Sequence, residues 1–204
     1  MQSFNKKVVL VTGGTSGMGR ATALAFAAEG ARVVVAGRRQ QNGEESVRMI
    51  EKAGGEGLFI KADVSREDEI GQLVQRTVDQ FGRLDIAFNN AGTAGRGFEP
   101  ISNVTADSFD EMFAVNVRAV ALGMKHEIAA MLRSGGGAIV NNASAAGLRP
   151  LPQLSLYSAS KSAVISLTKS AALEVAAQGV RVNTICPATF ETEMTAEALR
   201  DPAR

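Results

Sequence analysis

"VVLVTGGTSGMG", residues 8–19, runs from four aliphatic residues into a glycine-rich turn and then into helix-forming residues. Unbroken aliphatic character, without alternation, fits a strand buried on both faces. Gly13, Gly17 and Gly19 let the chain turn tightly and let a ligand approach the start of the next helix. Unpaired amides and the helix dipole favour a phosphate there. In this strand, turn, helix setting the pattern predicts a dinucleotide site, with Thr15, Ser16 and Met18 sharing the turn with the glycines.

Outward from that stretch, short β-branched runs recur at residues 32–36, 57–60, 84–88, 138–140 and 180–185. They alternate with helical periodicity over residues 18–29, 41–53, 67–81, 107–132 and 156–177. This order predicts an α/β fold, a doubly wound Rossmann-type parallel sheet with helices on both faces, in a single domain over residues 1–204. Gly30, Gly54 and Gly82 follow the first three helices and suit left-handed C-terminal positions. No internal repeat, low-complexity tract or linker interrupts the pattern.

Composition narrows the function. The chain is 45% hydrophobic and 21% charged, with formal net charge +1, as in ordinary globular proteins. Its 22 basic and 21 acidic residues leave no electrostatic case for nucleic acid. The single cysteine, Cys186, allows no internal disulfide and reads as a buried strand thiol in a reducing compartment. The single histidine, His126, falls in a helix without companion ligands, so no metal site is expected and a serine–histidine hydrolase is disfavoured. The apolar stretch near the N-terminus is too short for a signal peptide, and no run approaches the ~18 residues that span a bilayer. The expected location is cytoplasmic.

The glycine spacing, Gly13-xxx-Gly17-x-Gly19, resembles the short-chain dehydrogenase/reductase family, and the resemblance extends along nearly the whole chain. "NNAG" at residues 89–92 follows the fourth strand, "AVNV" surrounds Asn116, and Ser144 precedes Tyr157 by the interval usual in that family. The resemblance implies that Asp63 and Val64 border the adenine and that Asn90, Ala91 and Gly92 line the adenine ribose side. Pro187 would be among the cofactor-binding residues, and Thr192 would contact the nicotinamide amide. After "CP" the family usually has glycine, where this chain has Ala188, so either the turn differs or the position tolerates ordinary φ.

Cofactor choice is read from "VVVAGRRQ" at the end of the second strand. An enzyme choosing NAD normally places an acid near Gly37, and none is present. Arg38 and Arg39 instead offer positive charge for a 2′-phosphate, which points to NADP, with NAD as the alternative.

"YSASK", residues 157–161, holds the only tyrosine of the chain, four places before a lysine. Residues i and i+4 share one helix face, so the phenol of Tyr157 and the ammonium of Lys161 can enter one cleft. A phenol poised by an ammonium can give a proton to a carbonyl oxygen or take one from an alcohol. Ser144 would hold that same oxygen. The resemblance adds that Lys161 binds the nicotinamide ribose and that Asn116 helps hold a water in a proton relay. The expected activity is NADP(H)-dependent interconversion of a ketone and a secondary alcohol.

Two other readings compete. A sugar-nucleotide epimerase or dehydratase also carries a Tyr-xxx-Lys pair, but the glycine spacing and short chain argue against it. A non-catalytic cofactor-sensing protein would not need all four of Asn116, Ser144, Tyr157 and Lys161.

"LRPLPQLSL", residues 148–156, suggests an apolar pocket wall. Small residues such as Ala119, Ala121, Ala163 and Ala171 suggest that the two long helices pack in a homodimer or homotetramer. Residues 188–204 read as a substrate lid that is mobile without substrate from residue 190 onward, in a chain whose relatives continue beyond it.

Overall fold

The computed structural model describes residues 3–95 and 97–188. β1 (Val8–Thr12), β2 (Arg32–Gly37), β3 (Glu56–Lys61), β4 (Ile86–Asn89), β5 (Gly137–Asn142) and β6 (Val180–Ile185) pair in parallel in the order β3-β2-β1-β4-β5-β6. The register aligns Thr12 with Ala36 and Asn89, and Asn89 with Asn141. The strand order reverses between β1 and β4. A crevice opens outside the carboxyl ends of strands at such a switch point.

Alternate residues of β1 face opposite cores, as a strand's two-residue period requires. Val8 and Leu10 pack with Leu73, Met131 and Val164 on one side, while Val9 and Val11 pack with Ala23, Ala27 and Ile50 on the other. The first layer is covered by α3 (Glu67–Phe81), α5 (Ala119–Arg133) and α7 (Ser155–Val175), the second by α1 (Gly17–Ala28) and α2 (Gln40–Lys52). The doubly wound architecture expected from the sequence is the one observed. Gly30, Gly54 and Gly82 have φ of 81°, 91° and 77°, the left-handed conformation expected of helix-ending glycines.

The long helix expected over residues 107–132 is not uniform. α4 (Ala106–Phe113) and α5 are joined by a π-helical turn, Ala114–Arg118, with Asn116 at its centre and fully buried. Wider turns of this kind concentrate at functional sites. α6 (Ala145–Leu148), a single turn, was not anticipated.

Three side-chain expectations are corrected or refined. Cys186 lies just past β6 and is half-buried, because the chain has already left the sheet. Of the four small residues, Ala119 and Ala171 are largely buried within the subunit's own core, while Ala121 and Ala163 remain partly exposed. Leu148 and Leu151 are exposed, while Leu154 and Leu156 do line the cleft described below.

Beneath β1 and β4 a buried polar chain crosses the apolar layer. Asn89 donates to Glu127 at 2.9 Å and to Asn141 at 3.0 Å, and Asn141 donates to Thr168 at 2.9 Å. Burial pushes the Glu127 carboxyl up to about 7, the bond from Asn89 only partly opposing it. Among the described residues no helix is long and apolar enough to cross a membrane, and no cluster of three metal-ligating side chains forms.

Candidate active site

Hydrogen bonds between strand ends build the floor of the crevice. The Thr12 hydroxyl accepts from the amides of Asn90 (3.0 Å) and Ala91 (3.1 Å). The Asn90 side chain donates to the Thr12 carbonyl at 3.1 Å and accepts from Asn142 at 3.0 Å. Asn90 thus spends its amide tying β1, β4 and β5 together, while the residue still borders the cleft.

The turn after β1 fits a pyrophosphate. Gly13 and Gly17 have φ of 64° and 50°, which side chains tolerate poorly. A Cβ on Gly19 would collide with the Gly13 carbonyl and come within 2.6 Å of Asn90 Nδ2, so α1 can approach the turn only through a glycine. Ser16 is the N-cap of α1 but makes no side-chain cap, and the first turn holds no acid. The free amides of that turn are left for an anion.

From this turn a cleft of about 1160 Å³ extends past the ends of β2, β4 and β5. One end is bordered by Gly37, Arg38, Arg39, Asp63 and Val64. Gly37 carries no side chain because a Cβ would lie 2.8 Å from the Thr15 methyl. Arg39 reaches Ser16 Oγ at 3.5 Å, across the phosphate turn. Burial alone would raise the Asp63 carboxyl, but hydrogen bonds from Ser65 and the charges of Arg38 and Arg66 hold it below the usual carboxylate range. Arg38 and Arg39 are both exposed at this end of the cleft.

At the other end, Tyr157 and Lys161 occupy successive turns of α7, and Ser144 caps α6. The Lys161 ammonium is 5.7 Å from the Tyr157 ring centre and donates to the Asn142 carbonyl at 2.8 Å. It is buried, with 4% of the residue exposed, and burial lowers its pKa to about 8. The Ser144 hydroxyl accepts from the Ala146 amide at 3.2 Å, which leaves its own hydrogen available to a ligand.

Asn116 does not line the cleft. Its side chain accepts from the Thr93 amide (2.8 Å) and donates to the Thr93 carbonyl (2.9 Å) and to Ser160 (3.1 Å). Ser160 in turn donates to the Tyr157 carbonyl at 2.8 Å. Asn116 therefore fastens the chain after β4 to the turn of α7 that carries Tyr157. A Cβ on Gly92 would lie 3.3 Å from Asn116 Oδ1 and 3.5 Å from Lys161 Nζ, so both groups approach the same backbone point.

The cleft brings together Gly13, Thr15, Ser16, Gly17, Met18, Arg38, Arg39, Asp63, Val64, Asn90, Ala91, Gly92, Ser144, Tyr157, Lys161 and Pro187. Gly19 and Asn116 support it from below, and Thr192 lies outside the described residues. So does the expected lid, except Ala188, which borders the cleft without positive φ. Asn142, Ser160 and Gln153 were missed. Asn142 is 6% exposed, and its Oδ1 is a buried acceptor without a partner among the described residues. Only the polar pair that ends a buried strand, "NN" at residues 141 and 142, could have signalled it.

A phosphate turn at the switch point, joined by one cleft to a hydroxyl, a phenol and a buried amine, defines a dinucleotide-dependent oxidoreductase. The chain belongs to the short chain dehydrogenase family, whose pattern matches residues 7–203. It is 40% identical over 201 residues to a 3beta-hydroxysteroid dehydrogenase of Mediterraneibacter gnavus, covering 98% of this chain and 72% of that one. Its structure resembles that of an NAD+-bound xylitol dehydrogenase, with TM-score 0.88, 35% identity and coverage of 91% and 71%. It also resembles a variant actinorhodin polyketide ketoreductase with NADPH, with TM-score 0.91, 34% identity and coverage of 96% and 75%. The chain is accordingly an NAD(P)-dependent oxidoreductase acting on alcohols or ketones.

Proposed function

We propose that this protein interconverts a ketone and a secondary alcohol with NADP(H), using Tyr157 as general acid and base. The observation that carries the reading is the buried Lys161 ammonium beside the Tyr157 ring, both bordering the cleft that begins at the phosphate turn. A bound nicotinamide cofactor supplies or accepts the hydride. The chain's own residues manage the oxygen and the proton.

In reduction the Tyr157 hydroxyl gives its proton to the carbonyl oxygen, and in oxidation the phenolate takes it from the alcohol. The Ser144 hydroxyl, already oriented by the Ala146 amide, donates to the same oxygen as charge develops. Lys161 favours the phenolate and offers its remaining hydrogens to the cofactor ribose. With a pKa near 8 it stays mainly protonated at neutral pH. Asn116 acts through Thr93 and Ser160 and holds the Tyr157 turn in place.

The NADP preference rests on Arg38 and Arg39, the only charged residues at positions 37–39. Guanidinium forks match a 2′-phosphate, and no acid waits there for a 2′-hydroxyl. Following the reduced-nicotinamide absorbance across a panel of ketones, with NADPH and NADH in parallel, tests the reading. Ketone-dependent loss of NADPH absorbance supports it, and no oxidation of either cofactor by any ketone contradicts it.

A further inference from the structure

Gln153 has φ of 61°, and among the described residues only Lys6 shares the left-handed region without being glycine. A side chain there costs energy, and a glycine would remove the cost. Gln153 takes this conformation at the second central position of the β-turn 151–154, after Pro152, where the Leu154 amide donates to the Leu151 carbonyl at 3.2 Å.

That turn is tied to the loop after β4. Glu99 donates its amide to the Gln153 carbonyl at 2.7 Å, and Glu99 pairs with Leu154 in an isolated parallel bridge. Leu154 then accepts from the Ser158 amide at 2.8 Å, in the first turn of α7. The loop after β4 is therefore tied to the helix start that carries Tyr157. Glu99 and Gln153 both border the cleft with Leu154, Ser155 and Leu156, and neither side chain has a hydrogen-bond partner among the described residues.

Resting on the ketone–alcohol reading above, we propose that Glu99 and Gln153 form a specificity pair for a hydroxyl group carried by the substrate near its reacting carbon. A hydroxyl both donates and accepts. The Glu99 carboxylate takes its hydrogen, and the Gln153 amide donates to its oxygen. A second carbonyl can only accept and leaves the carboxylate without a donor, and a substrate carboxylate is repelled by it. The substrate class is thus a hydroxylated ketone and the corresponding diol. Reduction adds a hydride to the carbonyl carbon and the Tyr157 proton to its oxygen, and the nicotinamide is oxidised in balance.

Steady-state kcat/KM for 2-hydroxycyclohexanone, cyclohexanone and 1,2-cyclohexanedione tests this, in the parent protein and in Glu99→Leu and Gln153→Gly. The parent is expected to favour the hydroxyketone over both others by roughly tenfold or more, the effect of one well-made hydrogen-bond set. Each variant should lower the ratio of hydroxyketone to cyclohexanone at least severalfold. Gln153→Gly should also raise Tm by roughly 2 °C, because it relieves the φ of 61°. A parent that turns over cyclohexanone as well as the hydroxyketone overturns the pair while leaving the oxidoreductase reading intact. An unchanged ratio in both variants does the same. Turnover of none of the three ketones, by parent or variants, counts against the pair, and the broad ketone panel then decides whether the ketone–alcohol reading falls too.

Discussion

Asn89 donates a 2.9 Å hydrogen bond to Glu127, joining the end of β4 to a carboxyl 1% exposed on α5. The neighbouring Gly123 leaves just enough room: a Cβ there would lie 3.2 Å from Asn89 Oδ1 and 3.4 Å from Glu127 Oε1. Because Asn89 immediately precedes Asn90, Ala91 and Gly92, this contact underlies the cleft floor.

The Glu127 contact makes stability pH-dependent. Its folded pKa of about 7 lies above the ordinary 4.5, so between those values the folded state holds a proton that the unfolded chain has released. The stabilisation is complete below about pH 4.5 and is lost as pH rises through 7. Its upper bound is roughly 3 kcal/mol. Glu127→Gln should raise Tm at pH 8 and flatten the fall in Tm between pH 5 and pH 8. A variant whose Tm tracks the parent across that range would show that Glu127 is not the titrating group.

Gly19→Ala places a methyl against the Gly13 carbonyl and Asn90 Nδ2. Overpacking of this sort costs roughly 1–3 kcal/mol. Expected are a lower Tm and a cofactor Kd at least tenfold weaker by fluorescence titration. Parent-like cofactor binding would mean that α1 approaches the turn differently.

Asn116→Ala strands the Thr93 amide and carbonyl, at a cost of roughly 1–3 kcal/mol for buried unpaired groups. Thermal unfolding should show that loss, and kcat should fall more than cofactor affinity because the Tyr157 turn loses its tie. Equal loss in both would place Asn116 in cofactor binding instead.

Arg38→Asp puts a carboxylate where a 2′-phosphate is expected. The ratio of kcat/KM for NADPH to that for NADH should fall at least tenfold, about 1.4 kcal/mol. A parent that already prefers NADH would refute the reading of Arg38 and Arg39.

Much of this was legible because it is local. The phosphate turn depends on Gly13, Gly17 and Gly19 within one short stretch, and Tyr157 and Lys161 meet through helical periodicity alone. What stayed hidden depends on partners distant in sequence. Asn116 takes its role from Thr93 and Ser160, so its place beneath the cleft follows only from the packing of the π-helical turn. Gln153 follows Pro152 in a β-turn that the sequence does signal, but its place beside Glu99 depends on a partner distant in sequence. Ala119 and Ala171 looked like surface small residues because periodicity does not say which helix covers them.

The central claim, proton transfer by Tyr157, is tested most directly by Tyr157→Phe, which keeps the ring and removes the hydroxyl. Cofactor Kd by fluorescence titration and single-turnover oxidation of NADPH by a ketone substrate should be measured on the same preparation. The account predicts a Kd within about threefold of the parent and a rate at least 10²-fold lower, the usual size of general acid catalysis. A variant that binds cofactor normally and reduces the ketone within tenfold of the parent rate would contradict it.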